Sequence, residues 1–146
     1  MSHYQQLIKV QTQGKSLQKV TTKVAAIVAE SGVQTGICSL FLRHTSASLI
    51  IQENADPDVL LDLANFLAKL VPEGDPCGNG EAARYMHSTE GADDMPAHIR
   101  TVLTHTSEQI PIANGRLVLG TWQGIYLWEH RQKNQLRELV VHVMGD

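Results

Sequence analysis

Three short stretches of this sequence carry polar residues that folding alone does not call for. The first is Arg43-His44-Thr45-Ser46-Ala47-Ser48, followed by Glu53-Asn54 and Asp56-Pro57. The second runs from Met86-His87-Ser88 through Glu90-Gly91-Ala92 to Asp93-Asp94-Met95-Pro96-Ala97-His98. The third is Gly120-Thr121-Trp122-Gln123-Gly124, leading through Ile125-Tyr126-Leu127-Trp128 into Glu129-His130-Arg131. Imidazole is the commonest metal ligand and the side chain that titrates near neutrality. His44, His87 and His98 belong to different segments and can converge on one ion; three protein ligands with a fourth position left open is the arrangement of catalytic zinc. The spacing is not His-Glu-x-x-His, so the reading rests on convergence in space. A histidine satisfied by a backbone carbonyl is the alternative for His44. The charge at a helix N-terminus already accounts for at least one of Asp93 and Asp94.

The elements that must position these groups follow from periodicity. Leu7, Ile8 and Val10 read as a first strand, and Ser16 as the N-cap of a helix with Leu17, Val20, Val24, Ile27 and Val28 on one face and Gly32 as its stop. A strand over 36–44 puts Cys38, Leu40 and Leu42 on one side and ends in His44, at the core's edge or at the mouth of a cleft. Leu49-Ile50-Ile51 is the next apolar run. Asp56 caps a helix over 57–70, with Pro57 in its first turn. Residues 71–80 read as an exposed loop, dense in turn residues. His87 falls in loop, and Asp94-Met95-Pro96 opens a short third helix that carries His98. Strands follow over 110–112, 116–121, 124–131 and 139–144, with Asn114-Gly115 as a hairpin turn. In the strand over 124–131, Ile125, Leu127, Glu129 and Arg131 share one face. Two charges continuing an apolar face predict that it leaves the core and enters a cleft; the alternative is an exposed strand end with a surface ion pair. Gly120 and Gly124 bracket a turn or bulge at Trp122-Gln123.

Composition narrows the class. The chain has 146 residues, room for one domain over 1–146 with a core large enough to need no disulfide or structural metal. Twelve Lys and Arg against fifteen Asp and Glu give a net charge of −3, which argues against a nucleic-acid partner. No window is long and apolar enough for a membrane span, and the N-terminus has no basic region leading into an apolar one, so a cytoplasmic location is expected. The two cysteines, Cys38 and Cys77, form no Cys-x-x-Cys motif. No Gly-x-Ser-x-Gly elbow, P-loop or dinucleotide fingerprint occurs. Helices grouped early and a hairpin-connected β half predict an α+β fold: a single domain with a largely antiparallel, sandwich-like core, two longer helices and one short one.

At the three stretches the sequence resembles the YjbQ family, the small proteins called secondary thiamine-phosphate synthases. The matching strings are His44-Thr45-Ser46-Ala47-Ser48-Leu49 with Glu53-Asn54 and Asp56-Pro57, then Glu90-Gly91-Ala92-Asp93-Asp94-Met95-Pro96-Ala97-His98-Ile99, and Gly120-Thr121-Trp122-Gln123-Gly124-Ile125-Tyr126-Leu127 with Glu129-His130-Arg131. The resemblance implies a homotrimer and a divalent metal, zinc-like, held by His44, His87 and His98 with Glu129, Asp93 and Arg131 nearby. Two features depart from the family pattern: residues 72–84 form a longer stretch, and Thr104-His105-Thr106 stands where a glycine is usual.

The activity so implied joins a pyrimidine diphosphate to a thiazole phosphate with loss of pyrophosphate. Such a phosphorylated small-molecule substrate needs its leaving group stabilised by a metal or by arginines. Arg43, Arg84 and Arg131 are the available cations, Ser46 and Gln123 are expected to line the substrate, and Trp122 or Tyr126 to stack on a heterocycle. Magnesium on carboxylates is usual for a diphosphate, whereas histidines favour zinc. A zinc-dependent hydrolase with Glu129 or Asp93 as general base, and a non-catalytic metal or small-ligand binding protein, are the other readings.

Overall fold

Strict alternation in the apolar runs builds two antiparallel sheets whose inner faces meet. The computed structural model describes residues 1–74 and 85–146. In chain order it places β1 (Ser2–Gln11), β2 (Ser16–Lys19), α1 (Thr21–Ser31), β3 (Thr35–Leu42), β4 (Ala47–Glu53), α2 (Pro57–Leu70), α3 (Asp94–Leu103), β5 (Ser107–Ala113), β6 (Arg116–Leu117), β7 (Gln123–Glu129) and β8 (Leu136–Gly145). A five-stranded sheet has the order β1-β8-β3-β5-β6 and a three-stranded sheet the order β2-β7-β4, every pair antiparallel. The expected α+β fold is the one observed.

The main core lies between the sheets. Leu139, Val141 and Val143 of β8, Cys38, Leu40 and Leu42 of β3, and Leu49, Ile125 and Leu127 of the smaller sheet meet Val24, Ile27 and Val28 of α1. A second, smaller cluster sits on the other face of β7, where Trp128 packs with Leu67, Val71, Leu63 and Ile99 from the α2 and α3 side. β7 is therefore buried on both faces, and its two rows of side chains look into different compartments.

Local signals set most boundaries. Asp56 caps α2 by accepting the Asp58 N–H at 2.9 Å, with Pro57 at the first helical position. α1 ends at Gly32, whose φ of 72° is left-handed. Asn114 and Gly115 both take positive φ, 52° and 74°, as the two-residue hairpin between β5 and β6 requires. One expectation fails at Ser16. The first helix starts at Thr21, with Val20 in the cap position, because Ser16–Lys19 is drawn out as β2 along the edge of β7, from Ser16 opposite Glu129 to Lys19 opposite Tyr126. The backbone groups on that edge of β7 need partners more than Leu17 needs a helical face. The strand expected over 116–121 shortens to Arg116–Leu117. Part of the expected loop, residues 75–80, lies outside the described residues, as do Cys77 and Arg84. No helix among the described residues is long and apolar enough to cross a membrane.

Candidate metal centre

His87, Asp94 and His98 each bring one ligand atom within 4.8 Å of the other two. α3 supplies two of them: Asp94 and His98 stand four residues apart, on one face of the helix. The preceding loop returns His87 to the same spot, with its ring centroid 5.6 Å from that of His98. Asp94 Oδ2 lies 2.6 Å from His87 Nε2 and 3.2 Å from His98 Nε2, while Oδ1 takes Arg131 Nη1 at 2.6 Å. The Asp94 side chain is 7% exposed, against 42% for His87 and 32% for His98. Burial raises the Asp94 pKa, but His87, Arg131 and His98 outweigh it and hold the carboxyl below its ordinary range.

The hydrogen bonds fix what this cluster can hold. His98 Nδ1 lies 2.9 Å from the Thr45 carbonyl, an oxygen that can only accept, so Nδ1 carries a proton. A neutral His98 ring then presents the Nε2 lone pair to the Asp94 carboxylate. Two lone pairs cannot face each other stably; a second ring proton or a cation must stand between them. A backbone carbonyl behind a ligand histidine is the usual support for a metal-bound imidazole. Two imidazoles and a carboxylate are a zinc-type donor set. The residues present fit a divalent ion.

Arg131 backs the cluster. Its Nε donates to Asp93 Oδ2 at 2.9 Å, its Nη1 pairs with Asp94, and its Nη2 donates to the Glu90 carbonyl at 2.9 Å. Asp93 Oδ2 also accepts the Gln132 N–H at 2.9 Å. Burial pushes the Asp93 pKa up, and the Gln132 amide and Arg131 bring it below the ordinary value. Both residues thus spend their polar atoms on positioning the loop and Asp94, where a cleft-facing fork and a free base were expected.

The structure does not bring His44 to His87 and His98. His44 Nε2 accepts the Glu138 N–H at 2.7 Å, and Arg137 Nη1 lies 3.4 Å from Nδ1. Burial and then Arg137 lower its pKa. His44 does share with His98 and Thr101 the lining of a pocket of about 380 Å³ beside the cluster. Ser46 accepts from Arg137 Nη2 at 3.0 Å, and Arg43 is exposed, 3.7 Å from Glu138.

Glu129 corrects the expected cleft. Its face does not leave the core; Glu129 is 0% exposed and closes the end of it. Oε1 accepts from Thr12 Oγ1 at 2.7 Å and Arg137 Nε at 2.8 Å; Oε2 accepts from Arg137 Nη2 at 2.5 Å and the Arg131 N–H at 3.1 Å. Trp122 and Gln123 lie at the other end of β7, roughly 20 Å from Glu129 at ~3.3 Å per residue. β4 runs along β7 from Ala47, opposite Glu129, to Glu53, opposite Gln123, so within one subunit Trp122 lies at the strand end away from Thr45, the residue that meets His98. Gln123 Oε1 accepts the Gly120 N–H at 2.8 Å and the Trp122 carbonyl accepts from Asn54 N–H at 2.9 Å, so this glycine-bracketed motif ties a turn to β4.

Sequence reasoning weighed Asp94 only as a helix-terminal charge; its four-residue spacing from His98 was the available signal. The Ser48–His130 pair, 2.9 Å apart and buried, was also missed. Burial, then the charges of Arg100, Arg137 and Lys15, push the His130 pKa down to about 3, so the ring is neutral and a poor general base. Cys38, buried in the core with its thiol pushed up to about 11, is no nucleophile.

Comparison with known proteins extends over nearly all of this arrangement. The family described as UPF0047 protein YjbQ-like matches residues 6–146. UPF0047 protein sll1880 of Synechocystis is 62% identical over 98% of this chain and 92% of its own length. UPF0047 protein YjbQ of Salmonella typhimurium is 38% identical over 98% of this chain and 99% of its own. Among solved structures, an uncharacterized conserved protein of the YjbQ/UPF0047 family from Clostridium acetobutylicum superposes with a TM-score of 0.83 at 36% identity, covering 95% of this chain and 99% of that one.

Proposed function

The chain belongs to the YjbQ-like UPF0047 family, and from that premise we propose that His87, Asp94 and His98 form a divalent-metal centre acting on a phosphorylated small molecule. The observation that carries this is the His98 ring. Its Nδ1 is committed to the Thr45 carbonyl and its Nε2 faces the Asp94 carboxylate at 3.2 Å, an arrangement that a shared cation satisfies. The donor set favours zinc; magnesium would suit a diphosphate substrate. A bound divalent ion supplies charge stabilisation for a departing phosphate or pyrophosphate. Arg131 orients Asp94 for this task, and the pocket lined by His44, His98 and Thr101 offers the substrate room. Arg43, next in sequence to His44, is an exposed cation paired with Glu138.

The reaction proposed is thiamine-phosphate synthesis from a pyrimidine diphosphate and a thiazole phosphate with release of pyrophosphate. Hydrolysis is a second reading, favoured by the two-histidine, one-carboxylate donor set. It lacks its expected bases, since Glu129 and Asp93 are both engaged by arginines. We propose further that the protein works in the cytoplasm as a homotrimer with neither nucleic acid nor membrane as partner. Leu7, Ile37 and Phe41, exposed on the outer face of the five-stranded sheet, support burial against further copies, and a neighbouring subunit could return Trp122 to the site.

The test measures zinc content of purified protein by mass spectrometry and pyrophosphate release from the two substrates, with and without chelator. One equivalent of metal and chelator-sensitive release are expected, both lost in His87→Ala/His98→Ala. Metal retained at one equivalent in that double variant overturns the centre. Sedimentation equilibrium showing a monomer at micromolar concentration overturns the trimer.

A further inference from the structure

α3 carries polar groups to two sides. Arg100 follows His98 by two residues, about 200° around the helix, and so points away from the metal centre. It is 6% exposed, yet among the described residues its one hydrogen bond runs from Nη2 to the Val71 carbonyl at 2.9 Å, and its Nε is buried with no partner. Glu73, the acid whose charge it feels most, is already bonded to Lys15 and Gln132. No carboxylate among the described residues bonds to Arg100, and a buried guanidinium without an anion is costly.

Beside it lies a cavity of about 140 Å³, lined by Arg100, Lys15, His130 and Trp128 and by apolar side chains including Ala64 and Leu67. We propose that this cavity is a second ligand site, distinct from the metal centre, for a small organic carboxylate. The carboxylate would pair with the Arg100 guanidinium, whose Nε has no partner among the described residues. The body of the ligand would pack on Trp128, Leu67 and Ala64. Glu129 also lines the cavity, but both its oxygens are taken by Arg137, Thr12 and the Arg131 N–H, so it does not neutralise Arg100. The neutral His130 ring, paired with Ser48 through Nε2 at 2.9 Å, also borders the cavity. The apolar walls decide the ligand class: a bare phosphate could pair with Arg100 but has no apolar part to set against Trp128, Leu67 and Ala64, whereas a short-chain carboxylate has. Size agrees, since an apolar cavity of ~150 Å³ accepts benzene.

The site is tested in the full chain carrying Trp122→Phe, which leaves Trp128 as the remaining tryptophan. Trp128 fluorescence is followed during titration with n-butyrate, with butan-1-ol as its uncharged counterpart and with inorganic phosphate. Saturable binding of butyrate is expected, at least about tenfold tighter than either control, because the charged hydrogen bonds and the apolar contact are both needed. Arg100→Gln should abolish it. Ala64→Leu, which keeps Arg100 and fills the cavity, should weaken it at least about tenfold, and this variant serves should Arg100→Gln fail to fold. No saturable response to butyrate, phosphate binding as tightly as butyrate, or a folded Ala64→Leu protein that binds butyrate unchanged would each overturn the proposal.

Discussion

Glu129–Arg137 and Asp94–Arg131 are the same two charge types at nearly the same separation, 2.5 Å and 2.6 Å, yet they sit in opposite circumstances. Glu129 is fully buried, the Arg137 side chain is 6% exposed, and each Glu129 oxygen is filled from within the fold by Thr12, Arg137 or the Arg131 backbone. Nothing there is left for a ligand. The Asp94 carboxylate is nearly as enclosed, but among the described residues its second oxygen is met only by two histidines whose own edges reach solvent. A closed pair holds two sheets together; a pair whose last acceptor faces accessible imidazoles can hold an ion. The difference lies in who satisfies the final lone pair, not in charge or distance.

The largest effect is expected on the closed side. Glu129→Ala leaves the Arg137 guanidinium buried and unpaired, which should cost about 3–5 kcal/mol of unfolding free energy in urea titrations. A loss no greater than that of an exposed ion pair, about 1 kcal/mol or less, would break the contrast between the two sides. On the open side the expected signature is affinity. Asp94→Ala should weaken zinc binding by about 100-fold or more, measured by competition with a chromophoric chelator, since even supporting partners of metal ligands are worth 10–100-fold. Unchanged zinc affinity would remove Asp94 from the ligand set.

These two sides were unequally legible in the sequence. α2 could be read to the residue, because Asp56, Pro57 and the apolar stripe are all local. β2 could not, because the partner that makes Ser16–Lys19 a strand is β7, far along the chain. The motifs singled out His87 and His98, which one loop and one helix turn bring within one cluster. His44 belongs to the same motif set but lies just past the end of β3 in the large sheet, where Glu138 of β8 claims its Nε2. The role of Glu129 was hidden for the same reason. Its alternation with Ile125 and Leu127 was plain, but whether that row ends in solvent or in a salt bridge depends on Thr12 and Arg137, which only the folded sheets deliver.

Arg131→Lys sharpens the comparison more gently. A lysine keeps the charge but cannot reach Asp93, Asp94 and the Glu90 carbonyl from one planar group. Zinc affinity should fall by about tenfold, the lower end for a supporting partner, with the unfolding midpoint nearly constant. If the midpoint collapses while affinity holds, Arg131 belongs with Glu129 on the closed side.

The smallest effect separates the two regions by pH. His130, beside Glu129 on the closed side, has its pKa pushed down to about 3 by burial and then by Arg100, Arg137 and Lys15, against 6.5 unfolded. Between those values the unfolded chain binds a proton that the native one does not. Stability therefore declines as pH falls through 6.5, by ~1 kcal/mol over the first unit below it and by about a third of that over the unit above, and is flat in this respect beyond pH ~7.5. Asp93 and Asp94 act lower. Their folded pKa values lie below the ordinary 3.8, so the stability they contribute is present above that value and is lost as pH falls through the depressed ones. Urea midpoints at pH 7.5, 6.5 and 5.5 should thus drop mainly in the last step, and His130→Gln should remove that drop while leaving the acid loss due to the aspartates in place. A variant that keeps the wild-type slope between pH 6.5 and 5.5 would assign the drop to another histidine. Were that histidine His87 or His98, on the open side, the boundary between the two regions would have to be redrawn around His130.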